Sequence, residues 1–258
     1  MLGAGRLLRW RLRLDGALPG ARNMARDHAL ALFLPLGLAV LRLYRWERLT
    51  LSLGRNEPAV GRYDPEALRS LGVEVVRRPT GGRAVLHRRE LTYAVALPAR
   101  TMGGPRAAYL WINQRIAAGL ASLGVPAEIA CGPGAAVPLD AGPCFQGAAA
   151  GEVVAAGRKL VGSAQARMGE VLLQHGSILL ADDQELLHRV FTGERSGIDR
   201  PATVSEFLGR EAAEGELERA LAVQFGLDPT CISDPAWSSL QEAELEERYR
   251  SEAWTWRR

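Results

Sequence analysis

Lys159 is the residue whose type is least expected in this sequence. The chain holds 32 lysine and arginine residues, and Lys159 is the single lysine among them. An arginine stays charged in proteins, whereas the pKa of a lysine ammonium moves readily with burial, so a lysine can transfer protons. Lys159 lies in a strand-like run of small and apolar residues, where a solvated surface lysine is not expected. We therefore predict a chemical role for Lys159.

Cys144, fifteen residues before this lysine, is a candidate nucleophile. A free thiol is only a few per cent thiolate at neutral pH, and a nearby ammonium raises that fraction. The alternative is a small buried hydrophobe, which is the usual role of a lone cysteine and the one we predict for Cys131 and Cys231. Spacing along the chain does not choose between the two roles for Cys144.

A glycine pair forms the second candidate feature. Gly81 and Gly82 follow a predicted strand, and their neighbours are Arg77, Arg78, Thr80, Arg83 and His87. An isolated Gly-Gly pair is compatible with a plain hairpin turn. The polar neighbourhood favours instead a binding loop whose backbone amides hold a substrate oxygen. The segment lacks the GxxxxGK[ST] pattern, so no P-loop is predicted.

The four histidines divide into two groups. His87 and His175 lie beside glycines at the ends of apolar strands, where they can line a pocket. His28 and His188 lie in helical stretches, and we predict core or surface positions for them. No two histidines have the spacing of metal ligands, so we expect no metal site.

The elements that position these residues are mostly strands. Alternating or continuous apolar runs predict strands at 7–14, 38–44, 49–53, 73–76 and 171–180, and hairpins over 84–97 and 152–163. The second hairpin turns at 155–157 and would place Lys159, Val161 and Ser163 on one face. Helices are predicted over 23–33, 64–71 with Asp64 as N-cap, 109–123, 182–195, 204–225 and 234–253. The last of these includes an i,i+4 pair of Glu244 with Arg248.

Irregularly interspersed strands and helices predict an α+β fold, a mixed β-sheet with flanking helices. We expect a single catalytic domain over 1–258, in which a sheet-containing core (1–181) carries a helical C-terminal part (182–258) packed on it. Net charge is +3, aromatic residues make up 6% and no block of five like charges occurs, which argues against nucleic-acid binding. Unpaired cysteines and an apolar run (29–41) too short to span a bilayer favour a cytoplasmic protein in a reducing compartment.

Several segments resemble the lipoate–protein ligase A and lipoyl/octanoyl transferase superfamily. They are RRPTGGRAVLH (77–87), ELTYAV (90–95), GRKLVGSAQ (157–165) and LLQHGSILL (172–180), preceded in the same order by NMARD (23–27) and YRWERLTLSLG (44–54). The resemblance covers residues 7–190. It implies the catalytic-domain fold of biotin and lipoate ligases, and acylation of a lysine on a lipoyl carrier domain.

The PCF segment (143–145) resembles the octanoyltransferases that use a cysteine upstream of the GRK lysine. This implies that Cys144 accepts the acyl group and that Lys159 is its partner. The implied substrate-binding residues are Arg78, Thr80, Gly81, Gly82, His87, Gly162, Ser163, Gln165 and His175. Arg83 stands where the ligases usually have a third glycine, which counts against adenylate binding. Arg88 replaces the acidic residue that commonly follows the motif histidine, so the local role of that position does not carry over.

The activity implied is transfer of an octanoyl group from acyl carrier protein to the lysine of a lipoyl domain, such as glycine cleavage H protein, through a cysteine thioester. No cofactor is expected, because a thioester donor is already activated. We expect a monomer with acidic carriers as partners and neither nucleic acid nor membrane. The alternatives are amidotransfer between lipoyl domains through the same cysteine, an ATP-dependent lipoate ligase in which Lys159 binds the acyl-adenylate, and a non-catalytic lipoyl-domain binding module. The Cys144/Lys159 pair disfavours the last.

Overall fold

Two β-sheets of unequal size form the frame of the protein. The computed structural model describes residues 8–131, 145, 148–193, 200–213, 215–232 and 239–258. In this part of the chain the main sheet has the order β1 (Arg9–Leu18), β2 (Leu38–Trp46), β6 (Glu90–Pro98), β10 (Val171–Leu179), β9 (Arg158–Met168), β8 (Val153–Ala155) and β7 (Ala127–Ile129). The small sheet has the order β4 (Glu74–Arg77), β3 (Thr50–Leu53) and β5 (Val85–His87). Parallel pairs join β1 to β2 and β3 to β4, and the other described pairs are antiparallel. The predicted α+β class with a mixed sheet is confirmed.

Helices cover both faces of the main sheet. Helix α1 (Gly20–Phe33) provides the crossover between β1 and β2 that a parallel pair requires. It packs on one face together with Tyr44 and Ala94, whereas α3 (Pro105–Ser122) packs on the other face with Leu43 and Tyr93. Successive strand residues point to opposite faces, so these two apolar clusters lie on either side of the sheet. The short helix α2 (Pro65–Ser70) is capped by Asp64 as predicted, since the carboxylate accepts from two backbone amides.

The chain after residue 181 is helical but more broken than predicted. It contains a 3₁₀ turn (Gln184–Leu186), α4 (Leu187–Val190), α5 (Val204–Leu208), α6 (Glu216–Gln224), α7 (Ser239–Arg250) and α8 (Glu252–Thr255). The continuous helix predicted over 204–225 is wrong, because Gly209 adopts a left-handed conformation and ends α5. Helix α6 packs on α3 and α7 packs on α1. No helix in the described ranges is both long and apolar enough to cross a membrane.

The predicted hairpin over 84–97 is also wrong, because its two strands lie in different sheets. β5 pairs with β3 in the small sheet, whereas β6 is occupied on both sides by β2 and β10. β6 is buried along nearly its whole length, so it offers no open edge to β5. The chain crosses between the sheets at Arg88 and Arg89. This crossing leaves room for a site between the two sheets.

The hairpin of β8 and β9 is confirmed, but one detail of its register differs. Lys159 is paired with Val154, whereas Val161 is paired with Val153, so β9 has one extra residue between the two pairs. Such a β-bulge reverses the side-chain alternation. The prediction that Lys159 shares a face with Val161 is therefore wrong. Val161 lies on the α3 face, and the bulge turns Lys159 to the α1 face.

Three smaller predictions also differ from the structure. Cys131 and Cys231 are exposed rather than buried. Arg248 stacks on the ring of Trp254, and within the described chain it makes no ion pair with Glu244. The stacking is favourable because the face of an indole ring attracts a cation.

Candidate active site

A cleft with about 410 Å³ of empty space lies between the two sheets, and we call it the intersheet cleft. The small sheet and the loop that precedes β5 contribute Ser52, Arg78, Gly82, Val85 and His87. The main sheet contributes Tyr44, Trp46, Thr92, Gly162, Ser163, Ala164, His175, Gly176 and Ser177, and α1 contributes Met24. Apolar and aromatic walls with a few convergent polar groups are typical of a small-molecule site.

The loop that contains Gly81 and Gly82, which we call the glycine loop, forms one side of the cleft, and its backbone lies very close to that of Gly54. A Cβ atom on Gly54 would stand 1.7 Å from the carbonyl oxygen of Gly82. Gly82 itself has a φ of +87°, and a Cβ there would stand 2.8 Å from a guanidinium nitrogen of Arg78. Arg78 donates to the carbonyl oxygens of Ser52 and Gly81, at 2.8 Å each. The loop is therefore held in place by Arg78, and a side chain at Gly82 would be strained and would crowd that guanidinium.

His87 is fixed by a buried polar cluster at one end of the cleft. Its Nδ1 atom lies 2.7 Å from Oε1 of Glu90, and its Nε2 atom lies 2.7 Å from the hydroxyl of Ser52. The hydroxyl of Ser177 donates to the same Glu90 oxygen at 2.9 Å. The ring of Trp46 stacks on His87 with 4.0 Å between centroids. Glu90 is thus the acidic partner of His87. It lies two residues after Arg88, which occupies the position where an acidic residue commonly follows the motif histidine.

A second buried chain of polar groups runs from α1 to the glycine loop through His175. The carboxylate of Asp27 lies 2.7 Å from Nδ1 of His175, and Nε2 of the same ring lies 2.5 Å from the hydroxyl of Thr80. Burial alone would raise the pKa of Asp27, but the charge of Arg42 and the hydrogen bonds from His175 and Tyr44 hold it below its usual value. Asp27 is therefore an anion.

The same chain fixes the protonation of His175. Burial lowers the pKa of His175, against the opposing effect of Asp27, so the ring is neutral at pH 7. Nδ1–H then donates to the carboxylate of Asp27, which leaves Nε2 to accept from Thr80. Three segments that are distant in sequence are in this way joined beside the cleft.

Lys159 lies beside this cleft in a buried ion pair. Its Nζ atom donates to Oε1 of Glu152 at 2.8 Å, and the two side chains are 3% and 11% exposed. The same ammonium lies 5.6 Å from the ring centroid of Phe145. Phe145 packs in turn on Val85, which lines the cleft. Lys159 is thus linked to the cleft wall through an aromatic ring rather than by lining it.

Comparisons with known proteins identify the family of this chain. The family model for the lipoyl protein ligase A/B catalytic domain matches residues 19–226. Octanoyltransferase LipM of Carboxydothermus hydrogenoformans is 38% identical over 269 residues, covering 96% of this chain and 98% of the relative. Octanoyltransferase LipM of Symbiobacterium thermophilum is 39% identical over 234 residues, covering 84% and 85%. The chain belongs to the lipoyl protein ligase A/B family. It is an acyltransferase of the lipoyl/octanoyl class.

Solved structures of lipoate ligases share the fold of this family member. A crystal structure of lipoate-protein ligase A bound with ATP has a TM-score of 0.73 at 21% identity, covering 96% of this chain and 98% of that one. A bi-partite lipoate protein ligase from Thermoplasma acidophilum has the same TM-score and identity, covering 96% of both chains. At this identity the likeness concerns the fold alone.

The structure brings most of the predicted site residues of this acyltransferase to the cleft. Those that line it are Arg78, Gly82, His87, Gly162, Ser163 and His175. Thr80 stands behind the wall, bonded to His175, and Gly81 contacts Arg78 through its carbonyl. Gln165 donates to Gln174, away from the cleft residues. Ser163 borders the cleft, but its hydroxyl is bonded to Tyr93 on the α3 side. Cys144 lies outside the described residues, so its role stays a prediction.

Sequence reasoning missed several residues of the site. Glu90, Asp27 and Trp46 lie inside segments that carry the family resemblance, yet nothing in their spacing marks them as partners of a histidine. Glu152 precedes the hairpin turn of Lys159, and a pairing of the two across that turn was the available signal. Within the described part of the chain, no group of three or more His, Cys, Asp or Glu side chains could hold a metal ion.

Proposed function

We propose that this acyltransferase moves an octanoyl group from acyl carrier protein to the lysine of a lipoyl domain, through a thioester on Cys144. The observation that carries the proposal is the position of Phe145. Its ring packs on the cleft residue Val85 and lies 5.6 Å from Nζ of Lys159. An ammonium beside the cleft wall is the partner that a cysteine nucleophile needs. The PCF segment, which resembles that of the cysteine-dependent octanoyltransferases, supplies Cys144 as that nucleophile.

Both half-reactions balance without an added energy source. The Cys144 thiolate attacks the carbonyl carbon of the donor thioester, and the carbon–sulfur bond to the donor breaks, which releases the donor as a thiolate. That thiolate takes up one proton, which balances the proton that the acceptor amine loses in the second step. The neutral amine of the acceptor lysine then attacks the new thioester. A carbon–nitrogen bond forms, the amine loses a proton and Cys144 leaves as thiolate. Each step exchanges one acyl bond for another, so no ATP is consumed.

Lys159 has a physical role in both steps. Its ammonium favours the thiolate form of a nearby cysteine, because an opposite charge stabilises the ionised form of a thiol. The same charge stabilises the oxyanion that develops on the carbonyl oxygen. The Glu152 carboxylate accepts from the ammonium and so fixes its orientation in its buried position. These roles require a compact cation, which suits lysine better than arginine.

The walls of the intersheet cleft suit an eight-carbon acyl chain. Met24, Tyr44, Trp46 and Val85 supply apolar and aromatic surface. Seven methyl and methylene groups, at about 0.8 kcal/mol each, correspond to about 5–6 kcal/mol of gross burial. One methylene more or less changes the discrimination between two acyl chains by only about 1–3 kcal/mol, so neighbouring chain lengths are partly accepted.

The comparisons support the proposed chemistry and acceptor. Relatives that match nearly the whole chain are named octanoyltransferases. The T. acidophilum ligase was described together with its E2 lipoyl domain. A lipoyl domain, such as that of glycine cleavage H protein, is accordingly the acceptor that we propose.

Intact mass measurement without ATP tests this function. Incubation with octanoyl-acyl carrier protein should add one octanoyl group to the enzyme, and the group should move to a lipoyl domain on mixing. The adduct should be absent in Cys144→Ala and retained in Cys131→Ala, which removes an exposed thiol. Transfer that needs ATP and survives Cys144→Ala would replace the proposal with an ATP-dependent ligase. An adduct formed only from an octanoylated lipoyl domain would identify an amidotransferase.

A further inference from the structure

One face of β10 marks the end of the intersheet cleft at which Lys159 lies. Alternate residues of a strand point to the same face and are about 7 Å apart. Leu179 packs on this face with Val85 and Phe145. The ring of Phe145 lies beside the Lys159 ammonium. The proposed chemistry therefore places the reacting carbonyl group at the Leu179 end of the cleft.

The same face of β10 leads from that end to Met24 on α1. His175, four residues before Leu179, lines the cleft, and on β10 the lining residues end there. Leu173, the next residue on this face, belongs to the apolar cluster that contains Met24. Met24 is also the lining residue that α1 contributes. Met24 therefore stands at the end of the cleft that is opposite to Lys159.

The distance between the two ends suits an octanoyl chain. His175 and Leu179 lie about 13 Å apart along β10. An extended saturated chain advances about 1.25 Å per carbon–carbon bond, so the seven bonds of an octanoyl group span about 9 Å. A chain whose carbonyl group lies at the Leu179 end therefore brings its terminal methyl group toward His175 and the Met24 side chain.

The backbone of α1 is fixed on both sides of Met24. The side-chain amide of Asn23 donates to two backbone carbonyl oxygens that lie outside the helix. The carboxylate of Asp27 pairs with Arg42 at 2.7 Å. Asn23 and Asp27 are both fully buried. Withdrawal of the helix to admit a longer chain would break these buried bonds, which is costly. The Met24 side chain therefore sets the space that is available at this end.

We propose that Met24 limits the length of the acyl chain and is a specificity-determining residue for the transfer reaction. This inference rests on the proposed function, because it assumes that the reacting carbonyl group lies at the Lys159 end. Atoms Cγ, Sδ and Cε of Met24 occupy space that the last carbons of a longer chain would need, and extra methylene groups fit poorly into a closely packed interior. A shorter chain buries less apolar surface.

Calorimetric binding of octanoyl- and decanoyl-pantetheine amides tests this role independently of Cys144 chemistry. These analogues carry nitrogen in place of the thioester sulfur and are not activated for acyl transfer. The readout is the ratio of the two dissociation constants, because a general loss of stability affects both ligands alike. In Met24→Ala the ratio should move about tenfold toward decanoyl, as expected for burial of two further methylene groups. Met24→Leu conserves volume and should retain the wild-type ratio.

Two control variants separate the role of Met24 from other causes of a shift. Leu30→Ala truncates a buried residue of the same helix and the same apolar cluster that is not among the cleft-lining residues. It should lower the free energy of unfolding without moving the ratio. Val85→Ala enlarges the cleft at the Phe145 end. It should weaken the binding of both amides alike.

An unchanged ratio in a Met24→Ala variant that is folded by thermal unfolding would overturn the proposal. An equal shift in Leu30→Ala would overturn it too, since it would show a general loosening of α1. A shift in Val85→Ala alone would show that the chain lies in the opposite direction, and no binding of either amide to the wild type would exclude the cleft as the acyl site. Wild-type enzyme that binds the amides but is not acylated at Cys144 by octanoyl-pantetheine would contradict the proposed function while the binding ratios still test Met24.

Discussion

The Nζ atom of Lys159 lies 2.8 Å from Oε1 of Glu152, across the hairpin that joins β8 to β9. Two features of the hairpin create this ion pair. A turn through Ala156 and Gly157, both at positive φ, brings the strands together, and the bulge in β9 turns the lysine toward the cleft side. The environment of the Lys159 ammonium is therefore determined by Glu152 as well as by the position of the lysine.

Replacement of Glu152 by glutamine should destabilise the fold strongly. The change removes the carboxylate from a buried ammonium, and breaking one partner of a buried pair costs about 3–5 kcal/mol. Urea unfolding would measure the free energy. Glu170→Gln serves as the control, because its pair with Arg167 is exposed on both sides and should contribute less than about 1 kcal/mol. Equal losses of unfolding free energy in the two variants would contradict a buried ion pair between Lys159 and Glu152.

Alanine at Gly82 should impair both stability and acylation, whereas alanine at Gly81 should be tolerated. Gly82 is at positive φ, where an L side chain costs about 1–2 kcal/mol, and its new Cβ would displace Arg78. A Cβ on Gly81 would meet no atom within 4 Å, and Gly81 has no left-handed φ. Thermal unfolding and the rate of octanoyl adduct formation would compare the two. Indistinguishable variants would mean that the loop is not held as described.

Valine at Thr80 should lower the free energy of unfolding by about 1–3 kcal/mol, because Nε2 of His175 loses its donor while buried. The adduct should also form more slowly, since the glycine loop loses its link to Asp27 through His175. Thr192→Val is the matched control, with an exposed hydroxyl that donates to the carbonyl of Gly61. Its effect should stay within about 0.5 kcal/mol. A Thr80 variant as stable as this control would contradict the hydrogen-bond chain from Thr80 through His175 to Asp27.

Stability should fall on acidification from pH 6.5 to about 4. His28 and His175 both have lowered pKa values in the fold, so at these pH values the unfolded chain binds more protons and stability rises with pH. Each pKa unit corresponds to about 1.4 kcal/mol, and partial solvent access reduces the His28 contribution to about 1–2 kcal/mol. His28→Asn should flatten part of the slope in urea unfolding at several pH values. A wild-type stability that is constant or rises on acidification would contradict the assigned directions.

Much of the fold could be predicted from the sequence, because local patterns specify most of its elements. The alternation in β1 and the cap of α2 by Asp64 are examples. The sheet that each strand joins depends on tertiary pairing, which the local pattern does not specify. Two apolar strands separated by a short polar corner look like a hairpin, and only the occupation of both edges of β6 sends β5 to another sheet.

The residue types of the candidate site could be predicted from the sequence, but the hydrogen-bond partners of those residues could not. Lys159 is conspicuous as the single lysine, and the glycine pair by its neighbours. The partner of His87 is three residues away, whereas the partner of His175 is 148 positions away on α1. The bulge that orients Lys159 has no signature in the residues GRKLVGS. Contacts of this kind depend on how distant segments pack.

The cleft is lined from both sheets, so its width depends on the spacing between them. That spacing is governed by side chains packed behind the walls, which no substrate atom reaches. Selectivity for acyl length can therefore change through substitutions in either core while every lining residue stays the same. Comparison of lining residues alone would then fail to distinguish enzymes that prefer different fatty chains.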